Sequence, residues 1–114
     1  MAFDDYQADR IRQYLKDKTS YNEKKMMGGL IFMVNDKMCV GVSNDDLMAR
    51  IDPDVYEDAL TKQGCRKMDF TGREMKGFVF IDESGMKSDH DLQYWLDLAL
   101  DYNTRAKSSR KKKK

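Results

Sequence analysis

At 114 residues, with 40% hydrophobic and 36% charged side chains and a mean hydropathy of −0.80, the chain has material for one modest core and no second lobe. No apolar run approaches the roughly 18 residues of a membrane span, and Met1-Ala2-Phe3-Asp4-Asp5-Tyr6 lacks the apolar centre of a secretion signal, so a cytoplasmic protein is expected. The formal net charge of +1 hides a division, because residues 105 to 114 carry +7 with no acid and leave −6 on residues 1 to 104.

The first predicted element is a helix over about residues 5 to 17. Ile11, Tyr14 and Leu15 recur at the spacing of one helical face, with charged residues elsewhere. Tyr21 to Met27 is polar on both faces and fits either a loop or an edge strand. Leu30-Ile31-Phe32-Met33-Val34 and Met38-Cys39-Val40-Gly41-Val42 flank the turn-forming Asn35-Asp36-Lys37, which predicts a central hairpin too apolar to leave either face wet. Gly28 and Gly29 are expected to bend the backbone into the first of these strands, and Gly41 to mark a bulge or a close approach. Ser43-Asn44-Asp45-Asp46 then turns the chain into a third strand, Leu47-Met48-Ala49-Arg50-Ile51.

Asp52 followed by Pro53 writes a helix start, and Gly64 a helix end, so a helix is predicted from about 53 to 63 with Val55, Tyr56, Ala59 and Leu60 inward. Arg66 to Phe70 and Lys76 to Ile81 flank Thr71-Gly72-Arg73-Glu74 as a second hairpin, whose first strand is charged as edge strands tend to be. The last helix starts on Ser88, with Asp91 at the third position, and turns Leu92, Trp95, Leu96, Ala99 and Tyr102 to one side. The order αβββαββα predicts a two-layer α+β domain: an antiparallel sheet of about five strands with helices on one face. This domain should occupy residues 1 to 104, followed by a disordered basic tail.

Catalytic and metal chemistry find little support. His90 is the single histidine and falls in the first turn of a helix, with no second histidine or cysteine at ligand spacing. Asp45, Asp46, Asp52 and Asp54 are accounted for by turn and cap positions, and the spaced acids of a Ca²⁺ loop are missing. Cys39 and Cys65 read as small packing residues. No enzyme, metal or cofactor is expected. Arg50, Arg66, Lys67, Arg73 and Lys76 fall on neighbouring predicted strands and are candidates for an anion or partner patch, against the plainer alternative of a solvated edge interleaved with Asp69 and Glu74. Met26, Met27, Met68, Met75 and Met86 lie outside the most apolar runs, where flexible thioethers would suit an adaptable interface.

Met26-Met27-Gly28-Gly29 leading into Leu30-Ile31-Phe32-Met33, the strand from Met38 to Val42, Asp46-Leu47-Met48-Ala49-Arg50 and the closing Leu92-Gln93-Tyr94-Trp95 resemble the N-terminal domain of TfoX (Sxy), the bacterial competence regulator, over about residues 5 to 103. Met68 to Phe78 is closer to the short, single-domain relatives. The resemblance implies a fold similar to type III secretion chaperones and no catalytic residues, with Met27, Gly28, Gly29 and Trp95 as structural marks. It also sets this chain apart from the full regulators, which carry a second, helical domain. Two functions are expected: a regulatory module that binds a protein or pairs with itself, or a nucleic-acid-associated protein. In the second case Arg105, Lys107, Arg110, Lys111, Lys112, Lys113 and Lys114 would meet phosphates weakly and without sequence preference.

Overall fold

The computed structural model describes residues 4–26, 29–70 and 73–105, with backbone alone at 26, 68–70 and 73–76. Helix α1 (Asp5–Leu15) is followed by strands β1 (Asn22–Met26), β2 (Gly29–Val34), β3 (Lys37–Ser43) and β4 (Asp46–Arg50). A 3-10 turn (Pro53–Val55) and the short α2 (Tyr56–Ala59) lead to β5 (Cys65–Phe70) and β6 (Arg73–Ile81), and α3 (Asp89–Asn103) closes the fold. The strands form one antiparallel sheet of six in the order β1-β2-β3-β4-β6-β5. The polar segment before the central hairpin is therefore an edge strand and not a loop.

The hairpin at the centre turns on Asn35 and Asp36, both at positive φ (56° and 63°), which suits the right-handed twist of the paired strands. Along β2 and β4 the side chains alternate between two apolar sets. Leu30, Phe32, Val34, Leu47, Ala49 and Ile51 face α1 and α3 in the main core, where Ile11, Leu15, Leu92, Trp95, Leu96 and Ala99 meet them. Ile31, Met33, Met38 and Met48 form a second cluster, with Phe78 and Phe80 packed against it. The pairing of β2 with β3 shifts between Phe32 and Met33, which lets both Cys39 and Val40 join the main core.

Gly41 is the close approach that the sequence led us to expect. A Cβ there would stand 2.8 Å from the Leu30 carbonyl oxygen, 2.8 Å from Ile31 Cδ1 and 3.1 Å from Met48 Cε, so two side chains of the second cluster converge over the missing one. Gly29 stands inside β2, where a Cβ would collide with the Val42 carbonyl at 2.1 Å. Met27 and Gly28 lie outside the described residues.

Two polar anchors set α3. Asn103 is buried; its amide donates to the Val34 carbonyl (3.1 Å) and its oxygen accepts from Asn35 Nδ2 (2.8 Å), tying the helix end to the central turn. At the other end Ser88 Oγ accepts from the Asp91 amide, as expected of an N-cap, and Trp95 Nε1 donates to the Gly85 carbonyl at 3.2 Å. Tyr14 of α1 donates to Asp97 of α3 at 2.6 Å, joining the two helices.

The helix expected over 53 to 63 is much shorter. Asp52 does cap it, accepting from the Asp54 amide, but Thr61 and Lys62 bond back to Asp58 and Ala59 at the tighter three-residue spacing. Only Tyr56 and Ala59 of α2 are buried, so two anchors hold it, and Gly64 at φ 80° turns the chain into β5. Met86 is buried in the main core, so it is packing and not interface.

Gly41→Ala should destabilise the fold by about 2 kcal/mol, because the collision is with backbone and β2 must move. Urea denaturation checks it, and an unchanged midpoint would mean that the strands have room at this point.

Candidate binding surface

The register of three strands builds the most distinctive part of the surface. In the pairing of β4 with β6, Arg50 stands opposite Phe78 and Met48 opposite Phe80; in the pairing of β5 with β6, Arg66 stands opposite Phe80. Direct cross-strand neighbours on one face lie close enough for their side chains to touch. Each guanidinium accordingly covers a ring, with Arg50 Cζ 5.4 Å from the Phe78 centroid and Arg66 Cζ 5.0 Å from that of Phe80. Phe78 and Phe80 are half-buried. They belong to the sheet face turned away from the helices, beside the methionines of the second cluster.

Arg66 reaches across β6 to the Asp46 carboxylate on β4. With the Arg66 side chain 51% exposed, this ion pair adds little stability but fixes the guanidinium over the ring. Arg50 also lies 5.9 Å from the centroid of Tyr102, and Arg105 lies 5.4 Å from the same ring. Arg105 in turn donates to Asp52 at 2.6 Å and to Asp101 at 2.8 Å. The Arg105 bond, reinforced by the amide of Asp54, holds the Asp52 carboxyl below the usual carboxylate range.

Of the five cations singled out in the sequence, Arg50 and Arg66 each cover one ring of β6 from the strand on either side of it, and Arg50 also reaches Tyr102 of α3. Lys67 pairs with Val79, a main-core residue, and so projects from the opposite face. The side chains of Arg73 and Lys76 lie outside the described part of the structure, as do Lys107, Arg110, Lys111, Lys112, Lys113 and Lys114, whereas Arg105 is placed and paired. The sequence reading does not single out Phe78 and Phe80 as surface residues. Their alternation with Val79 and Ile81 is a usable signal, but only the pairing of β6 with β4 says which arginine meets which ring.

Elsewhere the polar residues have structural roles. His90 is exposed in the first turn of α3. Among the described residues no group of three or more His, Cys, Asp or Glu is placed to hold a metal, and no helix is long and apolar enough to cross a membrane. Burial pushes the Cys39 thiol from its ordinary 9.0 up to about 12, against a small opposing pull from Arg50, and the half-buried Cys65 to about 11. Neither cysteine is poised as a nucleophile. The hydrogen bond to Asp97 raises the Tyr14 hydroxyl from 10.0 to about 12.

The family model of the TfoX N-terminal domain matches residues 13–102. This chain belongs to that family. No curated protein and no solved structure matches it. Membership of the TfoX N-terminal family supports a regulatory or interaction module, and the α+β architecture, with helices on one face of an antiparallel sheet, accords with it.

The raised pKa values have a definite sign. Cys39, Cys65 and Tyr14 stay protonated in the fold where the unfolded chain has already lost those protons, so their contribution is full below pH of about 9 and falls as pH rises toward about 12. Urea midpoints should drop steeply between pH of about 9 and 11, and Cys39→Ala or Tyr14→Phe should flatten that drop. An equally steep fall in both variants would place the alkaline sensitivity elsewhere.

Proposed function

We propose that the chain is a non-catalytic regulatory module that holds a macromolecular partner on the sheet face opposite its helices. The observation that carries this is the pairing of Arg50 with Phe78 and of Arg66 with Phe80, half-buried rings capped by cations at the margin of an apolar, methionine-rich cluster. Arginine and aromatic side chains are the types that dominate binding energy at interfaces. Methionine side chains re-pack at low cost around different shapes.

Three surface grooves of about 290 to 390 Å³ give no comparable support to a small-molecule site. They mix polar side chains such as Arg10, Asp17, Lys62 and Asn35 with Leu92, Trp95 and Met33, and none sets arginines over phenylalanine rings as the sheet face does. A small-molecule site would need an apolar hollow with a few converging polar groups. Strand-to-strand pairing of two copies is disfavoured as well. The β1 edge presents Glu23, Lys24 and Lys25, and the β5 edge Arg66 and Lys67, all exposed, and lysine-bearing edges resist addition of another strand.

Lys24 stands opposite Ile31 and so belongs to the proposed face, whereas Gln13 is exposed on α1 in the other layer. A photocrosslinking residue placed at position 24 should capture a macromolecule in living cells, and one at position 13 should not. Capture only from position 13, or from neither, would contradict the assignment of the face.

A further inference from the structure

The same sheet face also indicates a class of partner, a conclusion that rests on its assignment as the binding surface. From the sheet we infer that single-stranded nucleic acid binds there: Arg50 and Arg66 move from the rings they cover to meet phosphates, and bases take their place on Phe78 and Phe80. Two rings at alternate positions of a non-edge strand stand on the face of an antiparallel sheet that the helices leave open. This is the arrangement by which RNA-recognition sheets hold unpaired bases.

The strand itself matches four of the seven specified positions of the pattern of such sheets. Lys76-Gly77-Phe78-Val79-Phe80-Ile81 follows Lys/Arg-Gly-Phe/Tyr-Gly/Ala-Phe-Val, with Val79 for the small residue, Ile81 for valine, and Glu83 where the pattern closes on an aromatic. The departures at 79 and 81 fall on the core side, where both side chains are buried against the helices, so they leave the stacking positions untouched. Gly77 at φ 90° bends the strand just before the first ring.

Charge points the same way. Among the residues whose side chains are described, this face carries Lys24, Arg50 and Arg66 against Asp46, whereas in the other layer α1 balances Asp5 and Asp9 with Arg10 and Arg12, and α3 carries Asp89, Asp91, Asp97 and Asp101 with no Lys or Arg. Residues 1 to 104, at −6 in total, thus keep a cationic patch on the open sheet face. Residues 106 to 114, with six further cations, begin next to Arg105, which shares the Tyr102 ring with Arg50. Their charge adds attraction for phosphates, and that part of the binding depends strongly on salt. A duplex offers no unpaired faces to two rings on a sheet, so single strands are preferred.

The test is fluorescence anisotropy of the full chain with uridine-rich RNA, thymidine-rich DNA and a duplex, at low and at physiological salt. Single strands should bind more tightly than the duplex, with the RNA and DNA arms showing whether the sugar matters. Phe78→Leu and Phe80→Leu, which keep apolar bulk but remove the stacking ring, should each weaken binding roughly ten-fold. Arg66→Gln, a change at a half-exposed side chain, should also weaken it, and Asp46→Asn should strengthen it by releasing Arg66 from its partner. Circular dichroism of each variant establishes that the fold is kept. Full-chain K111Q/K112Q/K113Q/K114Q should show a shallower salt dependence yet keep its sensitivity to the rings. No binding by the native chain, or binding that ignores Phe78, Phe80 and Arg66 and disappears with the four lysines, would overturn the inference. If position 24 still crosslinks to a protein in that case, the face remains a binding surface for a different partner. Absence of any crosslink from the face would bring down both.

Discussion

A strand that is apolar at successive positions cannot leave either side to water, and the whole arrangement of this molecule answers that constraint. β2 is buried at all six of its residues, so apolar cover has to be supplied on both faces of the sheet. On one side α1 and α3 provide it. On the other, the cover is made within the sheet: Ile31 and Met48 lean together over Gly41, Met33 and Met38 extend the cluster, and Phe78 and Phe80 close it toward β6. Gly41 is thus the hinge between the two layers of packing. Any side chain there would push apart the contacts on which the second face depends.

The arginines complete that face as much as they decorate it. Phe78 and Phe80 are too large to be hidden by flat neighbours, and Arg50 and Arg66 lay planar guanidinium groups over them from the adjacent strands. Such a cap is dry on its inner side and wet on its outer side. Another planar group on these rings has to extend that cap or displace it, and the pairing with Asp46 opposes displacement of Arg66. The ion pair from Arg66 to Asp46 keeps one cap in place without burying a charge.

Much of this was legible in the residues. Period-two and period-3.6 patterns located α1, the central hairpin and α3, and Ser88 and Asp52 marked starts that the structure uses, whereas Gly64, read as a helix end, lies beyond α2, which stops at Ala59. The length of α2 was not legible, because an N-cap and a glycine bound the stretch from 52 to 64 without saying which hydrogen bonds form inside it, and there the spacing tightens after Ala59. β1 was ambiguous because its role comes from its neighbour: Asn22 to Met26 has no apolar face of its own and is a strand by virtue of pairing with β2. The candidate surface was half legible. Arg50 and Arg66 could be placed near one another, but β6 inserts between β4 and β5, and pairing order does not follow from local pattern. That order put a phenylalanine beside each arginine and sent Lys67 to the other face.

Heteronuclear NMR titration of the full chain with a uridine-rich single strand tests the role of the sheet face most directly, since the signals report position by position. Ring-current shifts should be concentrated at Phe78, Phe80, Arg50 and Arg66, with α1 and the outer side of α3 unchanged. Shifts confined to residues 106 to 114, or a spectrum in which the sheet does not respond, would contradict that role.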